Sequence, residues 1–397
     1  MNILVLNSGS SSLKYKFFAD ETVKAKGLVE RIGQGGAARI THEKTGADKY
    51  QQEAEIANHQ VALQMVLKLM TGPQYGVIED LKEINGVGHR VLHGGEVFKE
   101  SVIVNDQVLA QLEELRDLGP LHMPANIMGI RACMELMPDV PQVAVFDTAF
   151  HQTMPKKAFL YALPLEVYQK YKVRRYGFHG TSHRYLAKRA AEFLQKPIEQ
   201  LKMITVHLGN GSSMAAIDGG KVIDTSMGLT PLEGMVMGTR SGDLDPAVVP
   251  LLCQKLNLTP AEVDNYLNKK CGFLGLTGYS DMRDIQKARS QGNTQAEDAY
   301  QIFIHRIVKY VGAYTAELKG LDVMVFSAGI GENDSQTRAD ICRELEFMGV
   351  KMDYQKNEGL RGVEANLSVA DSKVSLLLLP TNEELVIARD TVDLISK

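Results

Sequence analysis

The sequence predicts an α/β chain folded as two domains, and three observations point there. At 397 residues it exceeds what one hydrophobic core usually serves. Short apolar runs ending in small or polar residues alternate with stretches of helical period. One strand–turn–strand device also occurs twice, about half a chain apart.

The first copy opens the chain. "NILVL" and "SLKYKFF" read as two strands joined by a tight Ser/Gly turn, a hairpin. The second copy, "TVHLGNGSSMAAI", again runs from an apolar strand through Asn, Gly and serines into another apolar strand. Gly9-Ser10-Ser11 aligns with Gly211-Ser212-Ser213, and Leu4 with Val206. Further apolar runs with polar ends are "INGVGHRVLHGG", "VAVFDTAFH", "VMVFSAGIGEN" and "SLLLLPTNEE". "RYLAKRAAEFLQKP" reads as a helix closed by Pro197. In "AYQIFIHRIVKYVGAYTAELKG", Ile302, Phe303, Ile307, Tyr310, Val311, Tyr314 and Leu318 recur at helical spacing, and Gly320 supplies the stop. The last helix, in "NEELVIARDTVDLIS", is expected to return to the first domain. The expected division is 1–149, completed by helix 384–397, and 150–383.

Composition narrows the function. Hydrophobic content of 44 % and charged content of 23 % are those of a globular chain. A net charge of −4 gives no electrostatic case for nucleic acid, so an anionic ligand must be met by a few placed cations. Cys133, Cys253, Cys271 and Cys342 lie far apart with no C-x-x-C pair, which points to reduced thiols and a cytoplasmic setting. The start carries no signal-peptide pattern, and no run approaches the roughly 18 apolar residues of a membrane span.

In such sheets, functional groups gather past the carboxyl ends of strands. Asn7, Ser10, Ser12 and Lys14 would suit a phosphate, with backbone N–H groups and hydroxyls unhindered by large side chains; ordinary surface-turn residues look the same. Arg90 in "GHRVLHGG" reads as an anion clamp or a plain loop arginine. His89 and His93 flank it on strand and loop, with no H-E-x-x-H, so metal is not expected there. Asp147 in "VFDTAFH" fits a helix cap, a magnesium ligand or a base. "RRYGFHGTSHRY" offers His179 in a Gly/aromatic turn, then His183. "MGTRSGDLDP" holds Arg240 between small residues, and "GLTGYSDMRD" puts Asp281 and Arg283 after a turn. "AGIGEN" is a Gly-rich strand end, and "PTNEE" pairs Glu383 with Glu384. No G-x-x-x-x-G-K-[ST] loop occurs, and each G-x-G lacks the third glycine of a dinucleotide fingerprint, which removes a dehydrogenase. Protein-kinase signatures are absent too. Together these groups make an inventory for phosphoryl transfer, in which positioning and charge neutralisation do most of the chemistry.

"NSGSSSLK", "GHRVLHGG", "VFDTAFHQTMP", "RRYGFHGTSH", "HLGNGSS", "DTSMGLTPLEGMVMGTRSGDLDP", "FSAGIGEN" and "PTNEELVIARDT", in this order, resemble the acetate kinase family over practically the whole chain. The resemblance implies two actin-like (ribonuclease H-like) domains of the acetate/sugar kinase–heat-shock 70–actin superfamily. Their duplicated phosphate-binding hairpins would surround a central nucleotide cleft that closes on ATP. It implies reversible transfer of the ATP γ-phosphoryl to acetate, giving acetyl phosphate and ADP, with Mg2+ or Mn2+, in a cytoplasmic homodimer without nucleic-acid or membrane partners. By motif, Asn7 and Glu383 would serve the metal. Lys14, with Ser10 and Ser12, would face nucleotide phosphate. Arg90 and Arg240 would hold the substrate carboxylate and migrating phosphoryl, Asp147 would be the catalytic Asp, and His179 would stabilise the transition state. His207, Leu208, Gly209, Asn210 and Gly211 would contact nucleotide, as would Asp281, Met282 and Arg283. So would Gly329, Ile330, Gly331, Glu332 and Asn333. Val91, Leu121, Phe178 and Pro231 would surround the acetate methyl. Met123 in "PLHMP" departs from the family pattern beside that pocket, and it bears on acyl-chain preference. The stretch 33–52 has no expected role. Rival readings are a propionate or butyrate kinase and a nucleotide-gated binding protein on the same fold.

Overall fold

A computed structural model describes residues 1–47 and 49–397. The chain divides into two compact units, Met1–Ala149 with Asn382–Lys397, and Phe150–Thr381.

Unit 1 contains β1 (Asn2–Gly9), β2 (Ser12–Ala19), β3 (Thr22–Glu30), β4 (Ala37–Lys44), β5 (Tyr50–Glu55), β6 (Gly86–Val91), β7 (Val102–Ile103) and β8 (Gln142–Phe146). They form one sheet in the order β5-β4-β3-β2-β1-β6-β8-β7. β1, β6 and β8 run parallel, and β1 to β5 form an antiparallel meander. Both faces of the central strands are covered, which is why "ILVL", Ile3 to Leu6, is apolar throughout. Leu4 and Leu6 point to a core shared with Ala62, Val66 and Cys133 from the helices His59–Thr71 and Met123–Leu136. Ile3 and Val5 point the other way, onto Ile387 and Ala388 of the last helix, Glu383–Ile395. That helix sits close because β6 offers it glycine. A Cβ on Gly88 would lie 2.5 Å from both Ile387 Cγ2 and Thr391 Oγ1.

Unit 2 contains β9 (Lys202–Leu208), β10 (Ser212–Asp218), β11 (Lys221–Thr225), β12 (Val323–Ser327), β13 (Ala365–Asn366) and β14 (Ser375–Leu378), in the order β11-β10-β9-β12-β14-β13. The pairing of its first five strands repeats that of unit 1: an antiparallel hairpin whose first strand starts a parallel series. The helix Gly180–Leu194 covers one face through Leu186, Ala187 and Ala190. The helix Thr294–Leu318 covers the other through Phe303, Ile307 and Val311.

The duplication is real, but the residue match expected from sequence is out of step. In the ladders Gly9 pairs with Ser12 and Leu208 with Ser212, so Gly9 answers to Leu208 and Leu4 to Met203, not Val206. The first turn holds two residues and the second three, and turns absorb such insertions while strands cannot. Helix ends differ in detail as well. The left-handed stop residues are Gln195 and Lys319, one or two positions before Pro197 and Gly320. Ile302, counted with the apolar stripe, is exposed. Among the described residues, no helix is long and apolar enough to cross a membrane.

Candidate active site

In unit 1, the sheet face under the last helix changes character along each strand. Ile3 and Val5 lead to Asn7, Phe18 leads through Lys16 to Lys14, Gly86 and Gly88 lead to Arg90, and Val143 and Val145 lead to Asp147. Apolar positions seat the helix, and the polar ones emerge where it begins. There a cavity of about 380 Å³ is lined by Asn7, Lys14, Lys16, Arg90, Glu383 and Glu384, among others. Asn7 and Lys14 are direct partners across the hairpin. Asp147 follows β8 by one residue, and its N–H donates to the Val91 carbonyl at 3.0 Å. This extra rung brings its carboxylate beside Arg90. Arg90 Nε donates to Oδ1 at 3.0 Å and Nη2 to Oδ2 at 2.7 Å. Glu383 Oε2 lies 3.7 Å from Arg90 Nη1, and Lys16 Nζ donates to Glu384 Oε2 at 3.0 Å.

Burial works against the charge on Arg90, but the carboxylates of Asp147, Glu383 and Glu384 outweigh it and hold the guanidinium above its ordinary range. Burial pushes the Glu383 carboxyl up, Arg90 pulls it down, and Asp147 and Glu384 push it further up; the net direction is upward. Such a carboxylate welcomes a second cation.

In unit 2, the β9–β10 turn carries Gly209, Asn210 and Gly211. His179, with φ of 56°, sits immediately before the helix Gly180–Leu194, and its ring stacks on His207 at 4.3 Å between centroids. Its Nδ1 is 2.8 Å from Ser213 Oγ. Gly211 leaves the space these groups need: a Cβ there would lie 3.3 Å from Arg240 Nη2 and 3.4 Å from His179 Cε1. Arg240 is held by donation from Nη1 to the Pro231 carbonyl at 2.9 Å. A second, larger cavity of about 1010 Å³ is lined by Gly209, Asn210, Asp281, Met282, Arg283, Gly329, Ile330 and Asn333.

The structure thus gathers the residues expected at the metal, Arg90, Asp147 and Lys14 in one region of unit 1. It gathers eight of the residues expected at nucleotide around one cavity of unit 2. Several expectations take a different place. Glu332 turns inward, where Oε1 accepts from the N–H groups of Ala328 at 2.8 Å and Thr381 at 3.0 Å. Leu208, His207 and Gly331 are buried rather than cavity-lining, and "AGIGEN" is a short helix, Ala328–Asn333, directly after β12. Asp281 caps the helix Met282–Ser290 and grips Arg283 through two oxygens. Val91 and Met123 share a closed cluster with Phe98 and Phe146, Phe178 is buried, and Leu121 is exposed. Ser10, on the turn, and Ser12, at the start of β2, do not line the smaller cavity.

Sequence reasoning missed Lys16, and strand alternation with Lys14 was the available signal. It also gave the stretch 33–52 no role, yet Thr41, His42, Glu43 and Lys49 wall the cavity beside Lys14. No motif marks them, because β4 reaches the site only through its place in the meander.

Among the described residues, no three His, Cys, Asp or Glu side chains meet as a metal cage. The donor set of Asn7 and Glu383 still suits magnesium, which is commonly bound by one or two carboxylates and completed by substrate phosphates and water.

The acetokinase family model matches residues 2–389. The chain belongs to the acetokinase family. It is 56 % identical to an acetate kinase of Desulfitobacterium hafniense over 400 residues, covering 100 % of both chains. Among solved structures it is similar to the acetate kinase of Porphyromonas gingivalis, with a TM-score of 0.95, 46 % identity and 100 % of each chain covered. A propionate kinase from Francisella tularensis follows with a TM-score of 0.92, 39 % identity and 99 % of each chain covered. The fold is therefore the two-domain, actin-like one of acetokinases, and the enzyme class is phosphotransferase.

Proposed function

We propose that this acetokinase-family chain transfers the γ-phosphoryl of ATP to acetate, reversibly and by direct in-line displacement. An acetate oxygen forms the new O–P bond, the bond to the β–γ bridging oxygen breaks, and its electron pair leaves with ADP. The observation that carries the reading is Arg90. Asp147 holds it through two hydrogen bonds, yet a quarter of its side chain, 25 %, remains open to the cavity.

Acetate is already ionised at neutral pH, so no strong base is needed to make the nucleophile. The barrier is repulsion between anions and charge shifting onto phosphoryl oxygens. A preoriented guanidinium offsets both without reorganising during the reaction. As the family resemblance implies, Arg90 and Arg240 supply that charge. His179 donates to an equatorial phosphoryl oxygen. Asp147 orients Arg90 and does not abstract a proton. ATP takes the larger cavity of unit 2, against Asn210, Asp281, Arg283, Gly329, Ile330 and Asn333. Asn7 and Glu383 would hold magnesium (or manganese), which when bound neutralises phosphate charge. The family resemblance and the scattered free cysteines support a cytoplasmic reaction, and the resemblance supports a homodimer as the working form.

A hydroxylamine trap tests the reading. Purified protein, magnesium and ATP are mixed with acetate, propionate or butyrate, and the acyl hydroxamate is followed. Strong signal with acetate, weaker with propionate and near none with butyrate is expected. A preference for propionate would keep the mechanism and move the chain toward its propionate-kinase neighbour. ATP binding with no hydroxamate from any acid would leave only a nucleotide-gated binding protein.

A further inference from the structure

Behind His179 runs a chain of side-chain hydrogen bonds that ends on a threonine. Ser213 Oγ lies 2.8 Å from His179 Nδ1 and 2.8 Å from His183 Nε2, and His183 Nδ1 lies 2.7 Å from Thr205 Oγ1. Ser213, His183 and Thr205 are all wholly buried. Among the described residues, the Thr205 hydroxyl has no hydrogen-bond partner besides His183.

Each hydroxyl has one proton to give, and each neutral imidazole has one. Two directions can then link the chain. In the first, Thr205 donates to His183 Nδ1, His183 Nε2–H donates to Ser213, and Ser213 donates to His179 Nδ1. Every proton finds an acceptor, and His179 keeps its own on Nε2. In the reverse direction His179 Nδ1–H donates to Ser213, Ser213 to His183 Nε2, and His183 Nδ1–H to Thr205. The Thr205 proton is then buried with nowhere to go, and such an unmet donor carries its full desolvation penalty. A doubly protonated His183 is no escape. Burial, helped by neighbouring His151 and His207, holds its proton affinity well below the ordinary histidine range.

We propose that Thr205 and His183 are positioning residues that fix His179 as its Nε2–H tautomer, with Ser213 as the bridge. The ring edge carrying that proton faces the space beside Gly211: a Cβ at Gly211 would lie 3.5 Å from Nε2 and 3.3 Å from Arg240 Nη2. His179 therefore offers a donor on the same side as the guanidinium, where an acceptor would repel a phosphoryl oxygen. The consequence for rate rests on the proposed role of His179; the tautomer assignment does not.

The test is nitrogen NMR of the full chain with selectively labelled histidine, assigning His179 by its loss in His179→Gln. In the wild-type protein, Nδ1 of His179 should resonate as an unprotonated nitrogen and Nε2 as a protonated one. This needs no buried variant, so it decides the matter even if one fails to fold. Thr205→Ser should keep the spectrum. Thr205→Val should mix the two tautomers and lower kcat about tenfold, because a wrong tautomer withholds the proton where it is needed. KM for ATP should stay within about twofold. A wild-type proton on Nδ1, or Thr205→Val with unchanged His179 signals, would overturn the proposal. So would equal losses in Thr205→Val and Thr205→Ser with an unmoved tautomer, which would make Thr205 a packing residue. A shifted tautomer with unchanged kcat would uphold the positioning and remove His179 from the chemistry.

Discussion

Arg90 and Asp147 meet through a pair of hydrogen bonds, two N–H donors on two carboxylate oxygens at 3.0 and 2.7 Å. The carboxylate is closed off at 1 % exposure, while the guanidinium keeps an open edge. A cation fixed on one side and open on the other is suited to a second anion. Arg90→Ala should therefore lower turnover on the order of 10²–10³-fold at saturating acetate, by the scale of single oxyanion donors. Arg90→Lys should recover little, since an ammonium cannot make the forked contact. Hydroxamate formation by both variants is the check, and near-full activity of Arg90→Ala would remove the clamp from the mechanism.

Asp147→Asn keeps the shape and replaces one acceptor by an amide donor that Arg90 cannot use. We expect a stability loss of about 1–3 kcal/mol in urea denaturation, the scale for a buried hydrogen-bonding group left unmatched. kcat should fall while KM for ATP changes little, because the larger cavity of unit 2 does not include this residue.

Gly211→Ala tests the crowded turn of unit 2. The added methyl would stand 3.3 Å from Arg240 Nη2, close enough to displace that guanidinium by a few tenths of an ångström, and in ordinary contact with the His179 ring at 3.4 to 3.5 Å. Such a shift should cost about tenfold in kcat while the melting temperature stays nearly unchanged, since catalytic geometry tolerates less than packing does. A loss of stability in proportion to activity would mean that the turn itself had failed.

His89 gives the fold an acid limit. Burial lowers its pKa to about 4, with the bond to Gln142 pulling back upward. Between the ordinary histidine value near 6.5 and about 4, the unfolded chain binds a proton that the folded chain refuses. Stability contributed by this site is complete above that window and is lost as pH falls through it; His183 acts in the same direction. Urea midpoints measured across the window should fall with acid, and His89→Gln should flatten the slope. An unaltered slope would show that other groups set the limit.

Glu383→Gln addresses the cation. The change removes a carboxylate that lines the cavity beside Asn7 and lies 3.7 Å from Arg90 Nη1. The magnesium concentration for half-maximal activity should rise several-fold, with maximal turnover partly restored at high magnesium. No change in magnesium dependence would place the ion elsewhere.

Much of the site was readable because each polar group ends an apolar run. Asn7, Arg90 and Asp147 were singled out in this way, and the structure puts each near or directly after the carboxyl end of its strand. The duplicated hairpin was readable as a pattern, but not in register, since identical turn letters aligned while the strands did not. Thr41, His42 and Glu43 were invisible because their strand carries no motif and earns its place by pairing with β3. Thr205 was hidden differently: it looks like an ordinary strand residue until its hydroxyl is seen 2.7 Å from His183, whose other nitrogen lies 2.8 Å from Ser213 Oγ.

By itself, the order of residues determined the apolar strands that carry polar ends, the helices of clear period and the kind of chemistry, because periodicity and turn composition are local properties of a chain. Tertiary structure decided which groups meet. Arg90 and Asp147 are 57 positions apart, and Lys16 and Glu384 are 368 apart. The first pair is set by β6 and β8 lying side by side, the second by the last helix returning across β1 and β2 onto glycines of β6. A local pattern says that a face must be buried. Which segment comes to bury it is settled only when the whole chain has packed.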